Sequence, residues 1–268
     1  MNESKKMIFF DIDGTLLDHD KNIPPSTKAS IKELKANGHE VAIATGRSPF
    51  LFKDLLEELE IDSYVSMNGQ YVVYKGEVIY THPIPSEVLQ SLTAFAVRSD
   101  QPILYVSEEH MRMNVAKHIR VDSSYGPLKI EMPEYDPHYY MNREIYQAIV
   151  FCTEQEQVLY EQEYKDILRF VRWDEFATDV LPLGGSKAAG IEHLINHLGI
   201  NRKKVVAFGD HYNDLEMLQF VGHGVAMGNA QPEVKEVAKY ITSDVDQDGI
   251  MRGLMQLNLI SSAGMSAV

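Results

Sequence analysis

A chain of 268 residues with 44% apolar side chains can bury a sizeable core, as one large domain or two modest ones, and this excludes a disordered protein. Its 39 acidic residues against 25 basic ones give a formal charge of −14, which repels a polyanionic backbone, and no long basic run is present to track one, so nucleic acid is excluded as a partner. The same charge opposes a phosphorylated metabolite, since like unit charges at about 4 Å repel by roughly 1 kcal/mol in water and roughly 4 at an effective dielectric of about 20; binding such a compound demands local positive charge.

The first predicted element is a strand at Met7-Ile8-Phe9-Phe10, an unbroken apolar run of the kind buried on both faces of a sheet. The run from Lys5-Lys6 to Asp11 and Asp13 is too short and too acidic for a signal-peptide core, and no apolar run nears ~18 residues; a cytoplasmic protein with no membrane partner is expected. Ser26 is placed to N-cap a helix that turns Ile31 and Leu34 toward the core and ends at Gly38. A second buried strand, Val41-Ala42-Ile43-Ala44, completes a βαβ unit, and Tyr71 to Tyr80 reads as a hairpin turning on Lys75-Gly76.

Beyond Pro83 and Pro85 the texture changes. A helix near Glu87 to Val97 is followed by strands at Ile103-Leu104-Tyr105-Val106 and Met111-Arg112-Met113. A loop-rich stretch leads to a strand at Tyr146 to Phe151, a helix near Gln155 to Tyr164, and a strand at Leu168 to Trp173. The tyrosine-rich stretch from Glu134 to Tyr140 lacks periodicity and is expected to be a solvated connection. Cys152, the single cysteine, ends the apolar run Ala148-Ile149-Val150-Phe151 and is expected to be a buried structural thiol. Ser186 then caps a helix with Ile191, Leu194, Ile195 and Leu198 on one face, and Val205-Val206-Ala207-Phe208 is a third buried strand. The expected fold is α/β: a doubly wound, mostly parallel-sheet core (1–82 and 182–268) with an inserted α+β cap domain (83–181).

Chemistry gathers where the buried strands end, the edge at which open α/β sheets bind ligands. Asp11-Ile12-Asp13-Gly14-Thr15 follows the first strand, so period-two geometry puts two carboxylates on one face; the competing reading is that Asp and Gly simply begin a loop. Thr45-Gly46-Arg47 follows the second strand, and Gly209-Asp210 with Asn213-Asp214 follows the third. Singly, Thr45 could be a helix cap, and Asp210 and Asp214 solvated loop acids. Lys187 stands at a helix start, where the macrodipole disfavours a cation, and this misplacement hints at a bound anion.

Asp11-Ile12-Asp13-Gly14-Thr15, Thr45-Gly46-Arg47, Ser186-Lys187 and Gly209-Asp210-His211-Tyr212-Asn213-Asp214, in this order, resemble the four motifs of the haloacid dehalogenase-like phosphohydrolases. Met67-Asn68-Gly69, the long insertion between the second and third motifs, and Val225-Ala226-Met227-Gly228-Asn229-Ala230 resemble the Cof-type branch, which carries an α+β cap in that interval. The resemblance implies a phosphatase of small phosphorylated metabolites in which Asp11 is the nucleophile and Asp13 the general acid and base. Attack on a dianionic phosphoryl group calls for a hard cation, and carboxylates without His or Cys neighbours suit Mg2+. The implied ligands are Asp11, the backbone carbonyl of Asp13, and Asp210, with Asp214 behind them. Thr45, Lys187 and Asn213, with the backbone N–H groups of Ile12 and Gly46, are implied to hold the phosphate; Arg47 could touch phosphate or form a salt bridge.

Two other readings stay open: a phosphomutase using the same phospho-aspartate, and a signalling module that stores phosphate on it. Asp13 and the cap favour turnover over storage. Specificity is expected from the cap, where Arg98, Arg112, Lys117, His118, Lys129 and Arg143 are cationic candidates, most of them ordinary surface charges. No feature of the sequence sets the oligomeric state.

Overall fold

The computed structural model describes residues 5–126 and 131–261. The chain divides into two compact units: one holds the residues up to Gly46, Phe52–Tyr80 and those from Ser186 on, the other Arg47–Leu51 and Thr81–Gly185. Among the described residues no helix is long and apolar enough to cross a membrane.

The first unit opens with strand β1 (Met7–Phe10), helix α1 (Pro25–Ala36), strand β2 (Glu40–Ala44), helix α2 (Lys53–Leu59), strand β3 (Tyr64–Ser66) and the hairpin β4 (Tyr71–Tyr74) and β5 (Glu77–Thr81). In the second unit come α3 (Ser86–Arg98), β6 (Ile103–Val106), β7 (Met111–Met113), α4 (Ile119–Tyr125), β8 (Glu134–Tyr135), β9 (Gln147–Phe151), α5 (Glu154–Tyr164), β10 (Leu168–Arg172) and β11 (Ala177–Pro182). The chain returns to the first with α6 (Lys187–His197), β12 (Val205–Gly209), α7 (Leu215–Phe220), β13 (His223–Ala226), α8 (Pro232–Val237), β14 (Tyr240–Ile241) and α9 (Gly249–Gln256).

The eight strands of the first unit lie in the order β14-β13-β12-β1-β2-β3-β4-β5, parallel from β14 to β3. Alternation explains why its central strands read as unbroken apolar runs. Ile8 and Phe10 enter the cluster holding Ile31, Leu34 and Phe208, while Met7 and Phe9 enter the one holding Ile191, Leu194 and Ala207, so both faces are covered. Register then sets the site: Phe10 lies opposite both Phe208 and Ile43, so β1, β12 and β2 end in one row and release Asp11, Asp210 and Thr45 at the same edge. The Asp11 N–H donates to the Phe208 carbonyl at 3.0 Å.

Helix α1 begins two residues earlier than its serine suggests, with Pro24 in the cap position. Pro25 occupies the first helical position, where its fixed φ suits the helix and its missing N–H costs nothing; Ser26 is therefore inside the helix and makes no capping bond. Gly38, at φ +77°, closes the helix, with Gly38 N–H bonded to Lys35 O and His39 N–H to Leu34 O. The β4–β5 turn places Lys75 and Gly76 at φ 50° and 79°, the positive pair that a tight hairpin requires.

The second unit is a six-stranded sheet in the order β10-β11-β9-β6-β7-β8, antiparallel apart from β7–β8. Leu89, Leu92 and Ala96 of α3 and Tyr160 and Tyr164 of α5 pack on Ile103, Tyr105, Ala148 and Val150, all from one face of the sheet. The 134–140 stretch is exposed or half-buried, as a solvated connection should be, at every residue but one. Glu134 and Tyr135 are exposed, but Tyr139 is buried, its hydroxyl 2.8 Å from Ser107 Oγ and the Arg143 guanidinium 4.0 Å from its ring centre. Burial of that large ring gains more than solvating a loop would. Cys152 is a buried free thiol, with its pKa raised by that burial. Of the cationic candidates here, Arg112 pairs with Glu134 at 3.0 Å and His118 caps α4, whereas Lys129 lies outside the described residues.

Candidate active site

At the carboxyl edge of the first unit's sheet, Asp11, Asp210 and Asp214 each offer an oxygen within 4.8 Å of the others. Lys187, wholly buried at the first turn of α6, donates from Nζ to Asp11 Oδ1 at 2.6 Å and Asp214 Oδ1 at 2.7 Å. The anions that answer its position at a helix start are thus two of the protein's own carboxylates. Asp214 is also fully buried, and its second oxygen accepts from the backbone N–H groups of Asp210 (2.9 Å) and His211 (3.1 Å). Asp210 is fixed in turn by Thr15, whose hydroxyl donates to Oδ1 at 2.8 Å.

Glycine makes this closeness possible at two points. Gly14, at φ +78°, lies where an added Cβ would overlap Asp210 Oδ2; at Gly209 a Cβ would stand 2.7 Å from Cβ of Asp214. Asn229 ties the loop down, donating to the Gly14 carbonyl at 2.9 Å while its Oδ1 accepts from Val245 N–H at 2.9 Å.

Three carboxylates against one ammonium leave two negative charges if all are ionised. Burial, opposed by Lys187 and reinforced by Asp214 and Asp210, holds the Asp11 carboxyl well above its ordinary range. Burial and then the nearby Asp214 raise Asp210 to about 7. Burial works to lower Lys187, but Asp11 and Asp214 outweigh it and keep it firmly protonated. An undercompensated, all-oxygen donor set is compatible with a hard divalent cation.

The other expected residues fall into two groups. Thr45 is buried, its N–H bonded to the Val65 carbonyl at 2.8 Å and its own carbonyl accepting from Asn68 N–H at 3.1 Å. A Cβ on Gly46 would lie 3.2 Å from the Asn68 amide and 3.5 Å from Asn213 Nδ2, which itself donates to Asn68 Oδ1 at 3.2 Å, so these three share one wall. The Ile12 side chain is buried, and its carbonyl accepts from Leu16 and Leu17. Asp13 follows the end of β1 at Phe10; its half-exposed carboxylate stands 2.7 Å from Lys21 Nζ and close enough to Asp210 for its charge to help raise that group's pKa. Arg47 packs with the second unit. Sequence reasoning gave no role to Thr15, Asn68, Asn229 or Lys21. The first three lie inside motif stretches and were open to notice, whereas nothing marks Lys21, eight residues from its partner.

The sequence model of the haloacid dehalogenase-like hydrolases matches residues 8–254. YkrA of Bacillus subtilis, which carries a provisional phosphatase name, is 48% identical over 257 residues, spanning 95% of this chain and 98% of its own. Among solved structures, a hypothetical protein from Geobacillus kaustophilus HTA426 superposes with a TM-score of 0.90 at 50% identity, covering 96% of this chain and 100% of that one. The subclass IIB sugar phosphatase BT4131 does so at 0.84 and 33% identity, covering 95% and 100%. The chain belongs to the haloacid dehalogenase-like hydrolases, within their Cof-type branch, and is a phosphatase.

Proposed function

We propose that this phosphatase hydrolyses phosphate monoesters of small metabolites, sugar phosphates first among them, through an aspartyl-phosphate on Asp11, with Mg2+ as its cation. The observation that carries this reading is the buried Lys187 bridge to Asp11 and Asp214, which fixes the nucleophile's orientation by its Oδ1 and leaves Oδ2 for attack. The likeness to a sugar phosphatase over nearly the whole chain supports the substrate class.

Asp11 Oδ2 attacks phosphorus, the bond to the ester oxygen breaks, and Asp13 gives that oxygen its proton. Water then attacks the phosphorus of the acyl-phosphate, Asp13 takes the water's proton, and phosphate leaves Asp11; each proton transfer is worth typically ~10²–10⁴ in rate. The Lys21 contact favours ionised Asp13, so Asp13 parts from Lys21 to act as the acid in the first step. Lys187, Thr45, Asn213 and the N–H groups of Ile12 and Gly46 hold the phosphoryl oxygens, with positioning and electrostatics supplying most of the catalysis. Asp11, the Asp13 carbonyl and Asp210 would hold Mg2+, which when bound neutralises charge on the phosphoryl group. Asp214, with both oxygens engaged, positions Lys187 and the Asp210 backbone. Residues 83–181 act as a cytoplasmic enzyme's cap, selecting substrates without supplying the catalytic acids.

The test separates the two aspartates. With p-nitrophenyl phosphate, whose leaving group departs without a proton, Asp13→Asn gives a rapid-quench burst and a phosphate adduct by intact mass. Asp11→Asn gives neither. Absence of burst and adduct in both variants would overturn the division of roles.

A further inference from the structure

At the opposite edge of the first unit's sheet, where the parallel strands begin, lies a cavity of about 400 Å³. It is lined by Arg202, Lys203, Phe220, His223 and Lys239 among others, and by no carboxylate. A span from Lys6 to Asp11, about 16 Å of extended chain, separates this edge from the acid cluster. The cavity is small-molecule-sized, with an aromatic wall and a cationic rim.

Its charge runs against the rest of the molecule. Acids outnumber bases by 39 to 25 in the chain, whereas this edge gathers Lys6, Arg202, Lys203, Lys204 and Lys239, none of which forms an ion pair among the described residues, with Arg202, Lys203 and Lys239 exposed at the rim. They lie just before the starts of β1, β12 and β14, in a sheet whose neighbours at this edge are β14, β13, β12 and β1. Lys6 Nζ meets the His223 ring at 3.2 Å, one basic group on another. Burial, and then the cations Lys204 for Lys6 and Lys6 and Lys239 for His223, lowers both pKa values. The floor is firm: Gly222 N–H bonds to the Arg202 carbonyl at 2.8 Å, a Cβ at Gly222 would come within 2.6 Å of that oxygen, and Lys239 Nζ is anchored on the Gly222 carbonyl at 2.7 Å. A set of cations held together without counter-charge repels itself, and an anion relieves that repulsion.

We propose that this cavity binds a pyrophosphoryl group, free or carried by a nucleoside diphosphate, at a site separate from the catalytic carboxylates. Lys203, Lys239 and Arg202 engage its oxygens, and Phe220 with the Arg202 guanidinium, 6.0 Å from its ring centre, offers a stacking surface for a base.

The test is isothermal titration of the full-length chain with pyrophosphate and with ADP, in EDTA at low ionic strength, alongside Lys203→Glu/Lys239→Glu. Expected are saturable binding that weakens as salt rises, and a loss of about tenfold or more in the double variant. Its p-nitrophenyl phosphate turnover in Mg2+ stays within about twofold of the parent, since both residues are remote from the acids. Tighter binding of ADP than of pyrophosphate identifies the nucleotide, and equal binding the free anion. Should charge reversal lower the melting temperature, Lys203→Ala/Lys239→Ala gives the same reading. Absence of binding by the parent, or equal binding by parent and variants, would overturn the proposal.

Discussion

The Lys187 ammonium sits 2.6 Å from Asp11 Oδ1, with the lysine wholly shut off from solvent and the aspartate open to it only at its edge. Removing the cation alone leaves two buried carboxylates without it. Lys187→Met should lower unfolding stability by about 3–5 kcal/mol, measured by urea denaturation, and kcat by at least ~10²-fold. Lys187→Met/Asp214→Asn should recover part of the stability and none of the activity, because one buried charge goes but the nucleophile remains unguided.

Gly14 offers a cleaner separation of stability from catalysis. Ala at its positive φ costs about 1 kcal/mol, but the new methyl occupies the place of Asp210 Oδ2 and must push it aside. Gly14→Ala should therefore retain a cooperative melt while kcat/KM falls about 10²-fold, as a displacement of about 1 Å in a catalytic group typically costs. A variant with unchanged kcat/KM would show that Asp210 need not stand where Gly14 lets it.

Chelation should abolish phosphate release, with Mg2+ restoring it. Ca2+ should restore it poorly, because its larger and looser shell misplaces Asp11 relative to phosphorus. Full turnover in excess EDTA, with metal content checked, would remove the cation from the proposal.

Glu156 links the second unit's stability to acid. Burial works to raise its pKa, but the Arg120 guanidinium at 2.7 Å and the Thr153 N–H and hydroxyl bring it down to about 2. A folded pKa below the unfolded one gives stability that is complete above pH ~4.5 and lost as pH falls toward ~2. With solvent screening of this partly exposed pair, the contribution is about 1 kcal/mol. Glu156→Gln should destabilise the protein at pH 7, with the gap narrowing to about a quarter near pH 2.5 and closing only below pH ~2, read by denaturant midpoints across that range.

The strands β1, β2 and β12 were legible because burial on both faces leaves no polar residue to break the run. The three-residue β3 and the His223-Gly224-Val225-Ala226 strand carry too few branched side chains to stand out, and β11 is masked by Thr178 and Asp179 although every residue in it is buried. The acid-bearing strand ends were equally legible, since the motif residues follow the strands directly. The partners of Lys187 were not: the bonds to Asp11 and Asp214 join residues 176 and 27 apart in sequence, and the unfavourable helix position could signal an anion without saying whose. Ser26 lost the cap to Pro24 because Pro25, a good first helical residue, stands just before the serine and draws the helix start forward.

The pairing of β1 with β12 has a consequence for biosynthesis. β1 is an interior strand, yet the neighbour on one side is made about 200 residues later, after the whole second unit. At typical elongation rates of about 5–20 residues per second, that edge of a wholly apolar strand waits about 10–40 s on the ribosome for its partner. Through that interval β1 is a bare hydrophobic edge of the kind that recruits other strands. The length of the inserted unit is thus also a timer, and each residue added to it prolongs the nascent chain's exposure to aggregation while leaving the finished sheet unchanged.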